Sequence, residues 1–569
     1  MDSFLAAAAF AGSKSGYVFK TGVKGTGYYS EASAIDAVGA LQKRKRDELL
    51  EETEMGDEEI DEAADVPDIS TMQALLVSFE KRITFNLQQR SKFMDEPENF
   101  MDSEIDLSVD ISRLAAAATN PELLSIIIQA DSIKSILGCV THDNIDISIQ
   151  TIKLLLEITE PSNLIEINEN STLFLASFLQ NHGLELVVHN LSRLDDDGNA
   201  DYEQCFHNTL GIIENLIEFD GTIALVVTER THLMKYLLNR LTKKPFSDNK
   251  LYCSEILSIL LQSDTIIPIK LCSMPDMNGM ETLLQAIAVY KKMEVESIDE
   301  KEIIENLFLS LQTTLLEKEN QIKFVACEGF ELMIRILKEA KYSAICSIKS
   351  INYALIDNPA ACSKLIDVGG LKYIFPILTG KGLPKADKKS HLLSIEEDII
   401  SIMSQLAQHL CNSQTNDCST RLLLKFIEND FEKFKKCVDY YVKYRSKLAI
   451  TELHIQDTIQ MLSDDSSKQE EFASFVTVGN IYLTRLEGGL YVMQQLVVVL
   501  IYVLIYSSST DTLVAYIDSK LSEDGSNCSE LLDIIREMID NMDVNEDNAT
   551  KKTLITWSAG IATILMDKK

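Results

Sequence analysis

From about Pro67 onward, apolar residues recur at intervals of three and four almost without relief. In Ile145 to Ile158 (IDISIQTIKLLLEI), Ile145, Ile149, Ile152 and Leu156 fall on one face of a helix. Comparable segments follow at Phe206 to Phe219, Leu251 to Leu261, Ile303 to Leu316 and Ile345 to Ile356. With 23 Gly and 10 Pro in 569 residues there are few turns per residue, which suits helices better than many short hairpins.

A longer repeat is superimposed on this pattern. A glycine precedes an apolar helix at Gly183 (LELVVHNL), Gly279 (METLLQAI), Gly329 (FELMIRIL), Gly370 (LKYIFPIL) and Gly489 (LYVMQQLV). Gly329 and Gly370 are 41 residues apart and Gly279 and Gly329 are 50 apart. The 96 residues from Gly183 to Gly279 hold two units, the second opening near His232 (HLMKYLLNRL). After each glycine come a helix, a polar turn and a longer helix, the order and period of armadillo and HEAT repeats. One such unit cannot close a core alone, but stacked units bury the facing sides of their long helices. The expected fold is all-α: an armadillo/HEAT-like right-handed superhelical solenoid with additional capping helices and a disordered N-terminal tail. An ordinary helical bundle is the competing reading, and it gives no reason for evenly spaced glycines.

Residues 1–68 differ in kind. They pass through Lys43, Arg44, Lys45 and Arg46, after which Asp47 to Asp68 holds twelve acidic residues and no basic one. Such a segment buries too little apolar area to offset its chain entropy. The basic cluster is a candidate nuclear-localisation signal; pairing with the adjacent acids is the alternative. Gly16 to Tyr29 (GYVFKTGVKGTGYY) interleaves aromatics, lysines and glycines and reads as a docking peptide for an unidentified partner. Capping helices are expected over 69–130, armadillo-like repeats over 131–450 and C-terminal helices over 451–569, with a loop or insertion near 463–481.

Charge narrows the function. The chain carries 87 acidic and 53 basic residues; without the first 68 the balance is 72 to 46, so the folded body is itself acidic. A phosphate backbone needs a basic surface, which argues against direct nucleic-acid binding, whereas basic proteins are attracted. Solubility alone is the blander account of the acidity. Eleven scattered cysteines, with no C-x-x-C pair, read as reduced core thiols without a metal site. Leu496 to Tyr506, the most hydrophobic stretch, falls short of the ~20 residues needed to span a bilayer and reads as a buried helix. There is no P-loop, no G-x-G-x-x-G after a strand and no G-x-S-x-G elbow, so neither catalysis nor a cofactor is expected.

In an armadillo array the last helix of each unit lines the groove. Its candidate groove residues here are Asn208, Glu214 and Asn215, then Tyr252 and Glu255, then Glu305 and Asn306. Asn side chains clamp an extended peptide backbone, and Glu and Tyr hold Lys or Arg; a solvated helix face has the same sequence appearance. An importin-alpha-like groove of repeated Trp and Asn pairs is disfavoured, because Trp557 is the single tryptophan and lies outside the repeats.

Several stretches resemble the beta-catenin-like protein 1 family, a nuclear armadillo family. They include Phe79-Glu-Lys-Arg82, His142-Asp-Asn-Ile-Asp-Ile-Ser-Ile149, His207-Asn-Thr-Leu-Gly-Ile-Ile-Glu-Asn215, Asn249-Lys-Leu-Tyr-Cys-Ser-Glu-Ile-Leu257, Phe426-Ile-Glu-Asn-Asp430 and Tyr482-Leu-Thr-Arg-Leu-Glu-Gly-Gly-Leu490. The resemblance runs from about residue 70 to the end of the Gly489 helix and includes polar positions with no core role. Residues 473–481 read as an insertion, and 518–569 match weakly. The resemblance implies a nuclear, spliceosome-associated scaffold of the NineTeen complex. It also implies binding of basic nuclear-localisation segments of splicing factors, notably the CDC-five-like Myb-domain subunit, and self-association. Composition adds the sign of the groove's charge. A nuclear transport adaptor for basic cargo is the alternative.

Overall fold

The computed structural model describes residues 4–6, 17–22, 25–30, 69–130, 132–194, 199–243, 247–295, 297–384, 388–411, 417–464, 477–522, 525–542 and 549–566. From Ile69 on, every regular element among them is helical. Three short strands precede the helices: β1 (Phe4–Ala6), β2 (Tyr17–Gly22) and β3 (Gly25–Ser30), antiparallel in the order β1-β3-β2. β2 and β3 pair in register from Tyr17 with Ser30 to Gly22 with Gly25. These strands fall inside the segment read from sequence as a disordered tail. Tyr17, Val18, Phe19 and Thr21 have strand propensity that a charge-based reading passes over. Lys43 to Arg46 and the acidic run after them lie outside the described residues.

The chain divides into two compact units, Met1–Arg240 with Phe246–Ile267, and Leu241–Pro245 with Pro268–Lys569. In the first unit the long helices Met101–Ala118, Ile145–Thr159, Ala200–Phe219 and Asp248–Ser263 lie side by side in sequence order. Their starts are fixed by capping: the side chains of Asn144, Asn199 and Ser247 accept hydrogen bonds from Asp146 N, Asp201 N and Lys250 N. Ile145–Thr159 has Met101–Ala118 on one flank and Ala200–Phe219 on the other, so its buried surface is wider than one stripe. In Ile145–Thr159 the buried apolar residues are Ile147, Ile149, Ile152, Leu154, Leu155 and Ile158. Ile145 and Leu156 are only half-buried, because they face across the ladder and not into the layer beneath it.

The second unit repeats a short helix and a long one: Gly279–Val289 then Ile298–Thr314, Gly329–Glu339 then Ser343–Leu355, Leu371–Leu378 then Lys388–Leu410. The glycines mark close helix corners. A Cβ on Gly370 would stand 2.6 Å from Leu365 Cδ1 and 2.7 Å from the Leu365 carbonyl oxygen, and one on Gly329 would enter the Phe324 ring. At both sites the missing side chain is steric room for the preceding helix.

Asp417–Asp464 runs through position 450 and bends at Glu428–Phe431, where Asn429, Asp430 and Phe431 take φ of 54°, 54° and 61°. Lys435 Nζ, 2.6 Å from Asp430 Oδ2, and Lys425, 3.1 Å from Glu428 Oε1, tie this corner down. Positions 465–476 lie outside the described residues, and Val478–Arg485 is helical. The apolar segment is longer than its sequence suggested: Gly479–Tyr506 makes a 28-residue helical run, long and apolar enough to cross a membrane, but 89% of its most apolar window is buried in the protein. Helices Asp417–Asp464, Lys388–Leu410, Glu530–Asp540 and Ala549–Met566 surround it. Trp557 reaches its last turns, with ring centroids 5.9 Å from Tyr502 and 6.3 Å from Tyr506.

Candidate partner-binding face

In the first unit the ladder of long helices presents a face on which Leu156, Gly211 and Tyr252 are neighbours. A Cβ on Gly211 would stand 3.0 Å from Leu156 Cδ1 and 3.5 Å from the Tyr252 hydroxyl oxygen. Tyr252 donates its hydroxyl hydrogen to the Glu214 carboxylate on the adjacent helix, and the His207 ring lies over it with centroids 4.4 Å apart. Burial, then the Glu214 carboxylate, pushes the Tyr252 phenol well above its ordinary range, so it stays a donor. Two candidate residues from the sequence, Glu214 and Tyr252, are thus brought together. Asn215 and Glu255 are half-buried beside them. Asn208 is 6% exposed and accepts a 2.9 Å hydrogen bond from Gln204 Nε2 one turn earlier on the same helix.

The second unit uses the same device. Tyr342 donates to the exposed Glu305, and Lys301 Nζ stands 5.1 Å from the Tyr342 ring centroid; Asn306 is half-buried next to Glu305. Farther along, Asn352 Nδ2 donates to Asp398 Oδ1 at 2.9 Å. Ser401 Oγ and the Tyr491 hydroxyl are 3.3 Å apart, and Lys349 Nζ lies 5.9 Å from the Tyr353 ring centroid. Glu396, on the same helix as Asp398, binds Lys443 at 2.5 Å and accepts from the Tyr444 hydroxyl at 3.4 Å.

Asp398 is the outlier among these carboxylates. Burial pushes its carboxyl up to about 6, against the lowering effect of the Asn352 hydrogen bond and of Lys349. The sequence reading omitted Asn352, Tyr353, Asp398 and Tyr491. These residues come from three helices spread over about 140 positions, so no local spacing joins them.

Among the described residues no group of His, Cys, Asp or Glu is arranged to hold a metal ion. The cysteines are free thiols, all buried except the half-buried Cys327 and Cys346. Burial raises several of them to about 12, Cys139 and Cys253 among them, which makes them poor nucleophiles.

Comparison with known proteins places this architecture. Residues 47–546 match the model of the family described as "Catenin-beta-like, Arm-motif containing nuclear". The match reaches past the Gly489 helix, where the resemblance read from sequence ended. Beta-catenin-like protein 1 of Homo sapiens is 32% identical over 480 residues, covering 84% of this chain and 82% of that protein. The mouse protein of that name gives the same identity and coverage. The homolog of Schizosaccharomyces pombe is 27% identical over 478 residues, 83% of this chain and 79% of its own. With tyrosine-latched carboxylates along ladders of glycine-punctuated helices, the chain belongs to the catenin-beta-like, Arm-motif-containing nuclear family.

Proposed function

We propose that this chain is a non-enzymatic nuclear scaffold of the splicing machinery, within the NineTeen complex, whose helical ladders hold basic nuclear-localisation-type segments of splicing factors. The observation that carries the reading is the set of carboxylates fixed on the long-helix faces, Glu214 by Tyr252 and Glu305 by Tyr342. Each tyrosine spends its one hydroxyl hydrogen on the carboxylate, which orients the anion and leaves its other acceptor positions for a cation. The acidic balance of the folded body adds a field that attracts such segments from a distance. The CDC-five-like Myb-domain subunit is the partner that family resemblance points to, and Lys43 to Arg46 serve as the chain's own import signal.

Two measurements test this reading. Affinity purification from nuclear extract should recover splicing-complex subunits, and recovery of import carriers in their place favours the transport-adaptor reading. In a titration of the full chain with a short basic peptide, affinity should fall several-fold between low and physiological salt, because exposed charge pairs are screened within about 8 Å at 0.15 M. Salt-independent affinity defeats the electrostatic mechanism.

A further inference from the structure

Resting on that reading, we infer that Asn352, Tyr353, Asp398 and Tyr491 form a pocket that takes the guanidinium of one arginine in the bound basic segment. Three observations converge on it. Asn352 is 9% exposed, and while its Nδ2 donates to Asp398, its Oδ1 is buried with no hydrogen-bond partner. A buried acceptor without a donor is costly, and the Asn352 amide holds it within an amide's width of the Asp398 carboxylate. Asp398 has no ion-pair partner within 4 Å among the described residues, although Lys349 stands close enough to act on it electrostatically. Carboxylates elsewhere in the unit have such partners: Glu396 has Lys443, and Glu530 has Arg445.

The walls are aromatic. Tyr491 is 42% exposed, and its hydroxyl lies within electrostatic reach of Asp398 and Tyr353 and within 3.3 Å of Ser401 Oγ. A buried acceptor, an unneutralised carboxylate and the exposed Tyr491 ring together match a flat cation with five N–H donors. Such a cation gives hydrogen bonds to Asp398 and Asn352 Oδ1 in its own plane and stacks on a tyrosine. An ammonium ion is a point charge and uses the rings less fully, which is the basis for selecting arginine over lysine.

The test is a cycle on the full chain, read by fluorescence anisotropy with the peptide GSKKRKSG and its counterpart bearing citrulline, the neutral isostere, in place of the arginine. Asp398→Asn should weaken binding of the arginine peptide about tenfold, the scale of one charge-assisted pair lost. It should change binding of the citrulline peptide less than about twofold. Tyr491→Phe keeps the ring and most of the affinity, whereas Tyr491→Ala weakens the arginine peptide selectively. Thermal unfolding of each variant verifies its fold. A wild-type protein that binds the two peptides equally overturns the pocket, as does Asp398→Asn weakening both by the same factor. If wild type binds the arginine peptide with steep salt dependence while Asp398→Asn is without effect, the inference fails and the electrostatic scaffold stands. If wild type binds neither peptide, both fail.

Discussion

Arg445 Nε lies 2.9 Å from Glu530 Oε1, and the Tyr441 hydroxyl donates to the same oxygen at 2.9 Å. Tyr441 is fully buried, and Arg445 also reaches Ser526 Oγ at 2.8 Å, so this one carboxylate joins Glu530–Asp540 to the long bent helix. Removing it leaves a buried hydroxyl and a half-buried guanidinium without their acceptor. Glu530→Ala should therefore destabilise the second unit by about 2–4 kcal/mol. Urea unfolding followed by near-ultraviolet circular dichroism reads the change, with Asp533→Ala on the same helix as a control expected to be nearly silent.

The glycine corners give a steric prediction. At Gly370 an added methyl must displace Leu365 and its backbone, and Gly370→Ala should cost about 1–3 kcal/mol through overpacking. Gly221, with open space around its Cβ position, should accept alanine with little change. Melting temperatures of the two variants provide the comparison; equal shifts would remove the packing argument for the repeat.

Asp398 yields a pH dependence of stability. Its carboxyl is raised from 3.8 to about 6 in the folded chain, by burial first and by Glu397 in addition, against Asn352, Lys349 and Ser394. The fold thus favours the neutral acid, and the contribution to stability is full below about pH 4 and lost as pH rises to about 6. Asp398→Asn, neutral at every pH, should be more stable than wild type above pH 6 by on the order of 2 kcal/mol and indistinguishable from it at pH 4. Denaturant titrations at those pH values measure the difference. A residue whose removal both stabilises the chain and weakens peptide binding is kept for binding.

For the N-terminal segment, replacing Lys43 to Arg46 by alanine should reduce nuclear accumulation of the full chain in living cells, scored by fluorescence microscopy. Unchanged accumulation would mean entry together with a partner.

The glycine-led repeat was readable because it combines two independent periods, 3.6 residues for the helix and about 40 to 50 for the unit. Its physical cause, the contact of Gly329 with the Phe324 ring, is local in sequence. The strands at Tyr17–Gly22 and Gly25–Ser30 escaped because charge and small residues dominated the reading of the first 68 positions. Glu214 and Tyr252 were found one by one, but not as a pair. Their contact spans 38 positions and depends on how Ala200–Phe219 stacks on Asp248–Ser263. Asp398 was out of reach for the same reason, with three helices instead of two.

The helix Tyr491–Tyr506 is covered in part by Ala549–Met566, which follows it in the chain. During synthesis its bare flank therefore leaves the ribosome before its cover exists, and a message cut short ahead of Ala549 yields a product in which Tyr502 stays wet. Such truncated chains should be handled by the cell as a chaperone client or a clump, not as a shorter working scaffold.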